Sequence, residues 1–435
     1  MTSNDPDSPA ELGRRTLFAA GTAGLALSAA AAPGGPASAQ SSPPAIDTGV
    51  VRDGRVSFPN WRGEAEPPSP PPPAPLPPGE RVGFALVGLG RLTLEELLPA
   101  FAECRYARPV ALVSGTPEKA RLVAAQYGIK PEAIYGYADM RRLRDNPEVR
   151  AVYVVTPNGL HREQVEAAAA AGKHVLCEKP IATGSADARA MIAACDAARV
   201  KLMVAYRVQY EPHNREVIRM LRSGEFGAAR LIETNNCQVQ GDPSQWRMKK
   251  ALSGGGSLPD IGIYCLNTAR AYTGEEPLEV FARIHNPPND PRFAEVEDTV
   301  SFMLRFPSGT IANCATSYSA FNSKDMRVQF ERGWADLQNA YAYRGQQLRV
   351  AKRDGERQVV EQPRIRERNQ FALEMDHFAR CILDDRRPRT PGEEGLRDHL
   401  AMEAIYRSAA TGQPVTMESV QGLDASRGPE AEKAG

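Results

Sequence analysis

The chain has 435 residues, 42% of them hydrophobic and 24% charged, with 53 basic and 53 acidic side chains. That length allows two domains with extensions, and the balanced charge excludes a nucleic-acid binder that works by broad phosphate neutralisation. Proline equals glycine at 36 residues each, and nine of the twelve positions from Pro67 to Pro78 are proline. One local low-complexity segment, not disorder of the whole chain, therefore carries the anomaly.

Residues 1–39 contain Gly13-Arg14-Arg15-Thr16-Leu17-Phe18, a run of Ala, Leu and Gly to Ala32, and Ala37-Ser38-Ala39 before Gln40. Paired arginines, a weakly apolar core and a small-x-small cleavage site predict a twin-arginine signal, with the periplasm as destination and the twin-arginine machinery as partner. The run is too short and too rich in Gly and Ala for a membrane anchor, which needs about 20 strongly apolar residues. This route carries folded proteins, so a tightly held soluble cofactor is expected. Seven cysteines without a C-x-x-C and six histidines without a ligand pair predict buried thiols and no metal site. Residues 40–79 form a Pro-rich arm; as polyproline II, at about 3.1 Å per residue, its proline run would reach roughly 37 Å. It serves as a spacer or lies on the body or on a neighbouring subunit.

From Val82 the pattern changes to short apolar runs alternating with helical spacing. Strands are predicted at 82–87, 110–113, 151–155, 173–177 and 201–205, with helices at 92–104, 117–127 (Thr116 as N-cap), 160–171 and 185–199. This alternation specifies an α/β fold with a parallel doubly wound sheet, so residues 80–205 are read as a Rossmann dinucleotide-binding domain. Beyond Tyr206 come a helix at 213–223, a strand at 230–240 and a helix at 258–272. Strands follow at 279–285, 299–306, 310–318, 325–331 and 348–352, then helices at 369–383 and 393–411. Residues 206–415 are thus a second, α+β domain with an open, largely antiparallel mixed sheet, and 416–435 a disordered tail.

Gly88-x-Gly90-x-x-Thr93, with Arg91 and Leu92 at the helix start, follows a strand and opens a helix. There the glycines let the backbone approach a pyrophosphate on the helix N-terminus; Thr93 stands where a third glycine is usual. The next strand ends in Ser114-Gly115-Thr116 with Lys119 just inside the helix, and no acid precedes Glu118. Hydroxyls and a lysine suit a 2′-phosphate that a carboxylate would repel, which favours NADP over NAD. Three further segments fall at carboxyl ends of strands, where ligands of such sheets bind. They are Thr156-Pro157-Asn158 with His161, Glu178-Lys179-Pro180, and Arg207 with Tyr210. Asn158 and Glu178 are expected along the nicotinamide ribose; Arg207 and Tyr210 would bind sugar hydroxyls or position Lys179.

Glu178-Lys179-Pro180 with Thr156-Pro157-Asn158-x-x-His161 resembles the Gfo/Idh/MocA family of NAD(P)-dependent sugar oxidoreductases, over about Arg81 to Val415. In the segment Gly254 to Tyr264, Asp260-x-x-x-Tyr264 replaces the Asp-x-x-x-His of most members, and so is similar to the glucose–fructose oxidoreductase branch. The polyproline arm and residues 344–366 depart from it. The resemblance implies tightly bound NADP, an aldose (glucose) oxidised to its lactone, and a second sugar (fructose, giving sorbitol) reduced by the same cofactor. Its alternatives are an aldose–aldose oxidoreductase, a conventional aldose dehydrogenase and a sugar-binding protein without turnover. It also implies a homodimer or homotetramer.

Asp260 and Tyr264, four apart, would share one helix face. A free phenol is too weakly ionised to serve as a base at neutral pH, so an ammonium is needed beside it. Tyr264 is expected to exchange the proton of the sugar C1 hydroxyl, Lys179 to assist it, and Asp260 to orient the sugar.

Overall fold

The structure, a computed structural model, describes residues 50–52, 55–57 and 74–430. The chain divides into two units, 1–70 and 71–435. In the first, Val50–Arg52 pairs antiparallel with Arg55–Ser57. The expected export signal at 1–39 and most of the polyproline run lie outside the described residues.

In the second unit β1 (Val82–Val87), β2 (Ala107–Val113), β3 (Ile134–Tyr135), β4 (Ala151–Val154), β5 (His174–Glu178) and β6 (Leu202–Ala205) form a parallel sheet in the order β3-β2-β1-β4-β5-β6. Every residue of β1, β4 and β6 is buried, as an apolar run covered on both faces requires. Helices α1 (Pro117–Tyr127), α2 (His161–Ala170) and α3 (Ser185–Ala197) link the later strands. The helix expected at 92–104 is broken into a π turn (Thr93–Leu97), a short α turn (Leu98–Ala100) and a 3-10 turn (Phe101–Glu103). Pro99 lies inside it, lacks an N–H and crowds the carbonyl four residues back, so a regular ladder cannot run through. Strand β3 went unread because two residues carry no periodicity.

After α4 (Pro212–Ser223) comes a nine-stranded sheet. Its strands are β7 (Ala229–Cys237), β8 (Glu279–His285), β9 (Thr299–Arg305), β10 (Ile311–Ser317), β11 (Met326–Phe330), β12 (Gly333–Gln338), β13 (Gln347–Asp354), β14 (Arg357–Glu361) and β15 (Val415–Thr416). The order is β14-β13-β12-β11-β7-β10-β9-β8-β15, antiparallel throughout except for the β7/β10 pair. Strands β12, β14 and β15 were not expected; β14 is mostly polar and exposed, and β15 has two residues. Helix α5 (Ile263–Thr273) follows the π turn Leu258–Gly262.

Helices α6 (Gln370–Leu383) and α7 (Gly392–Thr411) return to the first sheet. On α6, Asp376 accepts the N–H groups of Arg105, Tyr106 and Ala107, and Phe378 meets Phe84 edge-on at 6.3 Å. Just before α7, Thr390 O accepts from Val204 N at 2.8 Å. The two halves therefore share a core. The tail expected to be disordered is packed over its described part: Ser426 and Arg427 are buried, and Arg427 pairs with Glu394 at 2.9 Å. A buried carboxylate cluster on α7 needs that cation.

Candidate active site

Strand β1 ends at Gly88, whose φ is +96° and whose Cβ, if present, would lie 2.5 Å from Val155 O. Only glycine fits there. Around Gly90 the space is open, a cradle that a side chain would fill. Thr93 takes the third glycine's place by donating its hydroxyl to Gly88 O at 2.6 Å, which ties the turn to the helix start. At the end of β4, next to Gly88, the buried Thr156 Oγ1 has no partner. Glycine cradle, helix start and unpaired hydroxyl together fit a dinucleotide.

At the end of β2, Ser114 Oγ accepts from Thr116 N at 3.1 Å. Thr116 stands at the N-cap of α1, yet its side chain makes no capping bond; the serine hydroxyl meets the chain first. Lys119 donates to Leu89 O at 2.9 Å, so its ammonium lies beside the glycine turn, and Gly115 stands near the Tyr137 ring. Arg91 is exposed and paired with Glu95, and Leu92 is half-buried.

Several residues expected to touch ligands are occupied elsewhere. His161 is fully buried, with Nε2 2.8 Å from Thr156 O and Nδ1 3.0 Å from Pro180 O. It joins the β4 and β5 turns. Asn158 donates to Ser253 O at 2.8 Å, which holds the Lys249–Gly254 segment against the cofactor loop. Glu178 points inward to the Tyr153 hydroxyl at 2.8 Å. Arg207, 4% exposed, donates to Gln370 Oε1 and Tyr341 O at 2.5 and 2.7 Å. Its guanidinium lies 4.8 Å from the Tyr264 ring centre and 4.6 Å from that of Tyr343, so it braces these rings. Tyr210 is buried away from the cleft, sharing a hydrogen bond with Thr390 at 3.0 Å and packing on His377. Carboxyl ends of strands gather these residues; His161, Asn158, Glu178 and Tyr210 bond to surrounding protein groups, whereas Arg207 packs on the Tyr264 ring.

Lys179, Asp260 and Tyr264 do converge. The Lys179 ammonium donates to Asp260 O at 2.6 Å and Oδ1 at 3.3 Å, and lies 4.7 Å from the centre of the Tyr264 ring. A wider π turn at Leu258–Gly262 replaces the α spacing expected between Asp260 and Tyr264, yet both meet the same ammonium. Burial alone would raise the Asp260 carboxyl; Arg247 and Lys179 outweigh it and hold the group well below the usual carboxylate range. Burial likewise would lower Lys179, but Tyr264, Asp260 and Glu178 raise it. The ammonium therefore stays charged.

Residues not expected at the site complete it. Asp260 Oδ2 accepts from Arg247 Nε at 3.0 Å and from the Tyr318 hydroxyl at 2.7 Å. Tyr318 directly follows β10, a strand-end position that could have marked it. Lys324 bonds Gln238 Oε1 at 3.3 Å, and burial together with Arg207 lowers its pKa while Asp260 opposes. Glu297 accepts from Leu258 N and Tyr406 Oη, each at 3.0 Å, and a Cβ on Gly256 would sit 1.9 Å from Glu297 O. That acid and that glycine together place the π turn. The Asp260 carboxylate thus joins Lys179, Arg247 and Tyr318 in one cluster.

The family description "Oxidoreductase family, NAD-binding Rossmann fold" matches residues 82–206, and "GFO/IDH/MocA C-terminal domain" matches 214–336. D-xylose 1-dehydrogenase (NADP(+)) of Haloarcula marismortui is 32% identical over 343 residues, covering 78% of this chain and 93% of that protein. The crystal structure of aldose-aldose oxidoreductase from Caulobacter crescentus complexed with glycerol has a TM-score of 0.75 at 47% identity, covering 78% of this chain and 100% of that one. Levoglucosan dehydrogenase, with NADH and levoglucosan, shares the fold at TM-score 0.69 and 24% identity over 77% of this chain and 99% of that one. The chain belongs to the Gfo/Idh/MocA family and is an NAD(P)-dependent oxidoreductase acting on sugar hydroxyl groups.

Proposed function

We propose that the protein oxidises an aldose at C1 to its lactone and reduces a second aldose with the same molecule of bound NADP. The observation that carries this reading is the convergence of Lys179, Asp260 and Tyr264 at the end of β5. The 47% identity to an aldose-aldose oxidoreductase supports an aldose as the second sugar. The alternative, a ketose as in glucose–fructose chemistry, rests on the Asp260-x-x-x-Tyr264 pattern.

The bound nicotinamide supplies the hydride acceptor for the first sugar and the donor for the second. Tyr264 takes the C1 hydroxyl proton as the C1–H bond breaks, and returns a proton to the carbonyl oxygen of the second sugar. Lys179 holds that oxygen; Asp260, itself held by Arg247 and Tyr318, holds Lys179. Ser114 and Lys119 favour NADP over NAD. Residues 1–39 support export to the periplasm by the twin-arginine route, where no cytosolic pool would exchange with the cofactor, so tight retention follows. The open face of the nine-stranded sheet is the surface for a homodimer or homotetramer.

The test is the near-ultraviolet absorbance of reduced nicotinamide in protein purified without added nucleotide. An aldose should raise the band and a second aldose should bleach it. Bleaching by a ketose alone would replace the aldose–aldose reading with the glucose–fructose one. A requirement for added NADP would leave a conventional dehydrogenase.

A further inference from the structure

Behind Lys179 two buried carboxyl groups face one hydroxyl. Tyr153 Oη lies 2.8 Å from Glu178 Oε1 and 3.2 Å from Glu374 Oε1. Glu178 Oε2 accepts the Lys179 N–H at 3.2 Å. Glu374 on α6 is fully buried, forms no ion pair among the described residues, and its Oε2 has no partner. A hydroxyl has one proton, so it can donate to only one of the two carboxyls; the other must be the donor. Two adjacent buried charges sharing one neutral hydroxyl would also be strongly unfavourable.

We propose that Glu374 is a neutral acid and a positioning residue for the sugar reaction. Its O–H donates to Tyr153, Tyr153 donates to Glu178, and Glu178 accepts from the backbone of Lys179. The proton is assigned to Glu374 because burial raises both carboxyls but is opposed at Glu178 by Lys179, the Tyr153 hydroxyl and Arg207. Glu374 is pushed well above the usual range by burial and by the Glu178 carboxylate, with only the Tyr153 bond and Arg207 opposing. Glu96, at the neighbouring π turn, pairs with Arg344. The hydrogen-bonded chain runs from α6 through β4 to Glu178, which also accepts from the Lys179 main chain, and it confines the negative charge to one carboxylate.

This inference rests on Lys179 being catalytic, so its test has one arm that needs no turnover. The infrared carbonyl stretch of a protonated carboxyl should be present in the holoenzyme at neutral pH and vanish in E374Q. Its absence from the wild type, or its persistence unchanged in E374Q, overturns the proposal. In the kinetic arm, E374A and Y153F should lose roughly tenfold in kcat, the effect of one buried hydrogen bond, with sugar KM little changed. E374Q, whose amide still donates, should recover most of kcat and keep it at alkaline pH, where the wild type declines as Glu374 ionises. Equal losses and identical pH profiles in E374A and E374Q overturn it. A wild type that no aldose reduces would instead refute the proposed function and leave the infrared result standing.

Discussion

The ammonium of Lys179 stands 4.7 Å from the centre of the Tyr264 ring while donating to the main chain of Asp260 at 2.6 Å. A cation held there stands beside the phenol proposed to exchange the sugar proton, so both residues are expected to serve one proton transfer.

Y264F should therefore reduce kcat by about 10²–10⁴-fold, the usual share of general acid–base catalysis, with bound nucleotide retained. Lys179→Ala should do the same. Single-turnover reduction of the bound cofactor by an aldose measures both, and wild-type rates in either variant would remove that residue from the mechanism.

Asp260 is held well below the ordinary carboxylate range, so its stabilising contribution is present above about pH 4 and is lost only as pH falls through the lower folded value. The acid limb of the pH–rate profile should therefore not report Asp260. Asp260→Asn removes the charge that faces Lys179 and Arg247 and should raise sugar KM while lowering kcat, as steady-state kinetics would measure.

Buried neutral histidines oppose acid. Burial pushes His399 down to about 4 and His377 down to about 3. Because the unfolded value is about 6.5, their contribution is complete above about pH 6.5 and is lost as pH falls toward the folded values. Asp398, which burial pushes up to about 6, pulls the other way. H399Q keeps an acceptor for Ala182 N–H, which now bonds Nε2 at 3.3 Å. Its thermal midpoint should fall less steeply with acid than the wild type's; parallel curves would exclude His399 as a source of the slope.

Arg427 and Arg270 neutralise a fully buried cluster, with Glu394 at 2.9 Å from the first and 3.0 Å from the second, and Asp398 on Arg270 as well. Removing one partner of such a group typically costs about 3–5 kcal/mol. R427A should destabilise the body by that order in urea titration, and truncation before Gly422 should do at least as much. An unchanged midpoint would mean that the tail contributes no net pairing.

The carboxyl end of β2 offers a hydroxyl at Ser114 with Lys119 nearby. Ser114→Asp should weaken NADP by tenfold or more relative to NAD, because a carboxylate repels the 2′-phosphate. Equilibrium binding of both nucleotides measures the ratio, and an unchanged preference would move the 2′-phosphate contacts elsewhere.

Much of this site was legible before any coordinates. Gly88 and Gly90 are marked by a strand-to-helix turn, Lys179 by Glu-Lys-Pro after an apolar strand, and Asp260 with Tyr264 by a four-residue interval. Their geometry follows from local backbone chemistry. His161, Glu178 and Tyr210 carry the same strand-end signal yet bond to protein groups, and Arg207 packs on Tyr264, because the carbonyls, hydroxyls and rings that hold them come from distant segments. Tyr318 had only its strand-end position, and Arg247, Lys324 and Glu374 had no local signal, since each matters through a partner at least 13 residues away.

Alternating apolar runs and helical spacing by themselves determined a parallel Rossmann sheet followed by a mixed sheet, since periodicity reports burial directly. Glycine and proline placement determined the turns that carry Gly88 and Lys179. Only the tertiary structure decided that α6 returns to the first sheet, that the tail beyond Thr416 supplies a buried cation, and that the Tyr153 hydroxyl stands between the buried Glu178 and Glu374 carboxyls. Those outcomes depend on which charges and hydrogen-bonding groups are excluded from water together, and that is set by packing between residues far apart in the chain.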